Sequence, residues 1–123
     1  MARVRHKSLD CSPGCAVEGT LSLIDGKWKG VILYHLFEGT LRFNELRKRL
    51  PNVTQRMLTN QLRELEAQQL IVRTIFPVVP PKVEYCLSAR GRSLEPVIMA
   101  LKAWGDANLD LSKPMEPAAE AAA

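Results

Sequence analysis

The sequence predicts an α+β fold that is mainly α, and three observations carry the prediction. Two amphipathic stretches, LRFNELRKRL (41–50) and TQRMLTNQLRELEAQQL (54–70), are separated only by PNV, the pattern of two short helices meeting at a brief turn. The apolar period then switches from helical to two across IVRTIF (71–76) and KVEYCL (82–87), which with PVVPP between them read as a β-hairpin. Apolar residues at helical spacing recur on both flanks, over 16–24, 27–37 and 94–104. With 123 residues, 46% hydrophobic and 24% charged, the chain suits one folded domain with one core.

In chain order, residues 1–14 read as a basic arm ending in a Pro13-Gly14 turn. AVEGTLSLI (16–24) sets Val17, Leu21 and Ile24 on one helical face before Asp25-Gly26 breaks it. KWKGVILYHLF (27–37) predicts a second helix with Trp28, Val31, Ile32 and Leu36 on its apolar face, stopped at Gly39. In the third, Phe43, Leu46 and Leu50 are spaced for one face. The fourth, 54–70, has Thr54 as N-cap and no Gly or Pro within it. In the second strand Val83, Tyr85 and Leu87 point one way, and Glu84, Cys86 and Ser88 the other. Ser88 is placed to cap a last helical region, kinked or restarted at Pro96, whose stripe is Leu94, Val97, Ile98, Leu101 and Trp104. Residues 111–123 are low in complexity and expected to be disordered, leaving 15–110 as the domain.

Composition narrows the function. No apolar run reaches the roughly 18 residues of a membrane span, and no apolar stretch follows the basic start, so the expected location is cytoplasmic. Three cysteines are too few, and odd in number, for a secreted disulfide scaffold. The net charge of +4 gains meaning from its placement. Six cations (Arg42, Arg47, Lys48, Arg49, Arg56, Arg63) face one acid, Glu45, within residues 42–63. On the fourth helix Met57, Leu58, Leu62 and Leu65 cluster on one side, and Arg56, Thr59, Asn60 and Arg63 on the other, with Gln55 at the start. Arg suits guanine, Asn or Gln suits adenine, and Thr suits a thymine methyl or a phosphate. A solvated outer face is the ordinary reading of one such helix. The preceding helix, the hairpin and the concentrated charge together favour double-stranded DNA. Asn44 and Arg47 on the preceding helix and Lys82 by the hairpin tip are further candidate contacts, with Arg73 a weaker one near the base.

The stretch from about Cys15 to Trp104, with its GKWK turn, RFNEL, QRMLTNQLRELE, PVVPPKVEY and GRSL, resembles the HxlR-type winged helix-turn-helix transcriptional regulators of bacteria. That resemblance implies a winged helix-turn-helix domain with a β-hairpin wing and flanking N- and C-terminal dimerisation helices. It implies a homodimer on a pseudo-palindromic operator, joined through Val17, Leu21, Leu94, Ile98, Leu101 and Trp104. For that stripe, plain intramolecular core is the competing use. Many members of the family carry a cysteine ahead of the first helix, and Cys15-Ala16-Val17-Glu18 matches that position, with Ala16 where proline is commoner. Several members respond through it to electrophiles, quinones or oxidants and others do not, so the resemblance admits such a small effector at Cys15.

The residues themselves leave the role of the cysteines open. A helix start and the cations Arg3, Arg5 and Lys7 favour a thiolate at Cys15, and Cys11 lies close enough in sequence to resolve a sulfenic acid. A link within CSPGC and a link between subunits are both conceivable. His6, Cys11 and Cys15 complete no zinc pattern, and no partnered His-Asp set is visible. Neither metal, cofactor nor enzymatic activity is expected. A regulator of this fold without a thiol switch is the alternative. A protein-interaction module or thiol oxidoreductase leaves the basic helix pair unexplained.

Overall fold

A computed structural model describes residues 14–112. The basic arm up to Pro13, with Cys11, and most of the expected tail lie outside that range. Among the described residues, six helices and three strands follow one another as α1 (Ala16–Leu23), α2 (Lys29–Leu36), β1 (Leu41–Arg42), α3 (Phe43–Arg49), α4 (Gln55–Ala67), β2 (Ile71–Phe76), β3 (Lys82–Leu87), α5 (Ala89–Arg92) and α6 (Glu95–Asn108). The strands form one antiparallel sheet in the order β1-β3-β2. The hairpin pairs Ile71 with Leu87 at its base and Phe76 with Lys82 near its tip.

The stretch expected to be a single helix over 41–50 is divided. Leu41 pairs with Tyr85 and Arg42 with Glu84, making a short third strand on the hairpin. Apolar spacing cannot distinguish the two arrangements, because Leu41 is buried in either. The helix begins at Phe43, where the Glu45 carboxylate accepts the Arg42 backbone N–H at 2.7 Å. The one acid of the basic window is thus spent on a helix start.

Thr54 caps α4, its hydroxyl accepting the Met57 N–H at 3.0 Å. The helix ends at Ala67, short of the expected 70. Its C-terminus closes with Leu70 N–H on the Leu65 carbonyl and Gln69 N–H on the Glu66 carbonyl, and buries Leu70 with Leu65. Ser88 caps α5 through the Gly91 N–H and donates its hydroxyl to the Gln69 carbonyl, tying the far end of the hairpin to the end of α4. Pro96 stands in the first turn of α6, so the last helical region restarts there.

The core is built from Ile32, Leu33 and Leu36 of α2, Leu46 of α3, Leu58, Leu62 and Leu65 of α4, and Leu70. Two expectations are corrected. On α2 the buried face runs through Leu33, while Val31 turns outward and Trp28 packs only partly. On α4 Met57 is 41% exposed and outside the buried cluster. Met57 lies in the first turn of α4, where its sulfur accepts from the Gln61 side-chain amide at 3.6 Å. α1 buries none of its own residues, and of α6 only Ile98 enters the core, 4% exposed.

Candidate nucleic-acid interface

The outer face of α4 follows from its inner one. With Leu58, Leu62 and Leu65 buried, the 100° step of the helix turns Gln55, Arg56, Asn60 and Arg63 to solvent and leaves Thr59 half-buried. These five side chains, each expected from the sequence, line one concave surface. Asn44 is exposed and Arg47 half-buried on α3.

Lys29 is paired with Glu64 at 2.7 Å, Arg73 with Glu66 at 3.2 Å, Lys82 with Glu84 at 3.6 Å and Arg49 with Glu38 at 2.9 Å, whereas Lys27, Arg90 and Arg92 have no carboxylate partner among the described residues. The Glu64 hydrogen bond holds the Lys29 ammonium above the usual lysine range, so that pair stays charged. Arg42, Arg47, Lys48, Arg56 and Arg63 have no carboxylate partner among the described residues. Guanidinium and ammonium groups without a carboxylate partner are what phosphates displace water and counterions to reach.

A second cleft joins the helix pair to the wing. It is lined by Phe43, Gln55, Thr59, Arg73, Val83 and Tyr85. Burial raises the Tyr85 hydroxyl above its ordinary range, which keeps it protonated. Only the β1 pairing brings Phe43 beside Tyr85, so no local sequence pattern signals the cleft. The wing tip carries no cation between residues 74 and 81, and Val79 is 98% exposed. Lys82, expected to reach DNA, is half-buried with its ammonium 4.4 Å above the Phe76 ring. The tip itself is therefore apolar.

Cys15 occupies the N-cap of α1 and is half-buried, its carbonyl accepting the Gly19 N–H at 2.9 Å. Cys86 lies opposite Val72 in the hairpin. Of the residues expected at a dimer contact, Val17, Leu21, Leu101 and Trp104 are exposed, Leu94 packs against the core, and Ile98 lies within it. No metal-holding cluster occurs among the described residues, and none of their helices is long and apolar enough to cross a membrane.

A two-helix unit flanked by a three-stranded sheet with a projecting hairpin, and a polar, cationic second helix, define a winged helix-turn-helix DNA-binding protein. Residues 23–113 match the HxlR-like helix-turn-helix family, and the chain belongs to it. It is 54% identical over 114 residues to the uncharacterized HTH-type transcriptional regulator YdeP of Bacillus subtilis (strain 168), across 93% of this chain and 89% of that protein. In structure it is similar to the redox regulator HypR. The oxidized form gives a TM-score of 0.75 at 54% identity, covering 78% of this chain and 99% of that one. The reduced form gives 0.74 at 54% identity, covering 77% and 94%. The protein is a helix-turn-helix transcriptional regulator and not an enzyme.

Proposed function

We propose that the protein acts as a homodimer on a pseudo-palindromic operator, with α4 in the major groove and the wing against the neighbouring backbone. The observation that carries this reading is the concave surface of α4 lined by Gln55, Arg56, Thr59, Asn60 and Arg63, whose two arginines, like Arg42, Arg47 and Lys48 just before them in the chain, have no carboxylate partner among the described residues. In this reading Arg56, Asn60 and Arg63 meet base edges, while Arg47, Lys48 and Asn44 hold phosphates. The apolar faces of α1 and α6 join the two copies. Cys15 is the thiol through which an oxidant or electrophile acts, and its place at the start of a dimer helix would let its modification shift the pairing of the copies. HypR, named as a redox regulator and known in oxidized and reduced forms, supports this part.

Selection of bound DNA from a random pool, with reduced and with oxidised protein, tests both parts. An enriched inverted repeat with half-sites about 10 base pairs apart, or a multiple of that, is expected. A pool that yields no common sequence overturns the operator reading. A Cys15→Ser protein that still loses DNA on diamide treatment removes the thiol switch.

A further inference from the structure

Between the start of α2 and the middle of α6 the surface opens into a groove of ≈ 410 Å³, walled by Ile24, Val31, Ile98 and Leu101. Gly30 keeps it open. A Cβ there would come no nearer than 3.8 Å to Ile98 Cδ1, so helix α2 stands off α6 where a larger side chain would fill the gap. Three polar groups reach this apolar lining: Lys27, Tyr34 and Lys102. Lys102 is held by Asp106 at 2.7 Å. Lys27 has no carboxylate partner among the described residues, and its ammonium lies 5.0 Å over the Trp28 ring. The Tyr34 hydroxyl donates to nothing among the described residues. None of the described residues that line the groove is an acid.

An apolar slot within the size range of small-molecule sites, with one ammonium that has no carboxylate partner, one hydroxyl without a hydrogen-bond partner among the described residues, and no acid in its lining, is complementary to one ligand chemistry. We propose that this groove binds an amphipathic aromatic anion, its ring body against Ile24, Val31 and Ile98 and its carboxylate on Lys27 and Tyr34. The ligand wedges α6 against α2. Lys29 of α2 is tied to Glu64 of α4 at 2.7 Å, and α2 and α4 share the core, so a shift of α6 against α2 is a shift against the recognition helix. If α6 joins the two copies, the ligand changes the spacing of the two recognition helices; that regulatory half rests on the dimeric reading given above.

The test is calorimetric titration of the full chain with 2-naphthoate and, separately, with neutral 2-naphthalenemethanol. Saturable binding of one naphthoate per chain, about tenfold or more tighter than the alcohol, is expected from a charge-assisted contact. Gly30→Leu should abolish binding with an unchanged circular dichroism spectrum. Should that variant fail to fold, the Lys27→Gln/Tyr34→Phe protein, which keeps the volume, decides; it should bind about tenfold more weakly. No saturable heat, equal affinity for the alcohol, or full affinity in the double variant overturns the proposal. Naphthoate that binds and leaves operator affinity unchanged overturns its regulatory half. Sedimentation of ligand-free protein reads the dimer separately. A monomer that still binds naphthoate would refute the dimer and leave the groove standing.

Discussion

At Gln69 the backbone takes φ 63°, a left-handed conformation that glycine adopts at little cost and other residues at about 1 kcal/mol or more. It is tolerated because the turn satisfies two end carbonyls of α4 and seats Leu70 in the core. Gln69→Gly is expected to stabilise the fold by up to about 1 kcal/mol, read as a higher urea midpoint at unchanged slope. The missing glycine also explains why the sequence suggests a helix running on to Leu70. His35 makes a second residue-scale argument. Its Nδ1 is buried without a hydrogen-bond partner among the described residues, and burial, with the nearby Arg49, lowers its pKa from the ordinary value. The unfolded chain protonates near pH 6.5 and the folded one only below that, so the unfolded state binds more protons as pH falls. Stability should therefore decline as pH drops through about 6.5 and level off once the folded form protonates too. His35→Phe should flatten that part of the urea-midpoint profile. An identical slope in the variant would assign the effect to other groups.

The elements are unequally legible. α4 stands out because one amphipathic run with a Thr cap needs only local information. The hairpin is legible for the same reason, its period being two on both sides of a proline-rich tip. β1 is not, since a two-residue strand exists only through its pairing with Tyr85 and Glu84. That pairing also makes the Phe43–Tyr85 cleft. The recognition element yields a paired prediction. Arg56→Ala should cost about 1–3 kcal/mol on the selected operator and far less on random DNA, because a base contact carries sequence information. Lys48→Ala, exposed on α3, should weaken both alike. It should also make the slope of log affinity against log salt shallower by about 0.9, the share of one neutralised phosphate. Filter binding across a salt series separates them. If Arg56→Ala lowers affinity equally on both DNAs, Arg56 is a phosphate contact and not a reader.

At the scale of the molecule the apolar surface is distributed in a way that one copy does not use. α1 buries none of its residues, Val17, Leu21 and Leu101 lie exposed around an apolar trough between α1 and α6, and Trp104 is exposed further along α6. The stripe at 94–104 thus divides. Ile98 and Leu94 serve the core, and the outward side, with Leu101 and Trp104, is exposed. Sequence periodicity marks such a stripe but cannot apportion it, because burial within a chain and burial between chains require the same side chains. Trp104 decides the matter cleanly. It is 62% exposed in one copy, so Trp104→Glu should change the stability of a lone domain by no more than about 0.5 kcal/mol. In a dimer the same change buries a carboxylate where a large aromatic anchor stood. Sedimentation velocity should then show a monomer with a native circular dichroism spectrum. Operator affinity should fall by roughly 10²–10⁴-fold, because each recognition helix loses the effective concentration supplied by its twin. A Trp104→Glu protein that sediments as a dimer would take Trp104 out of the contact.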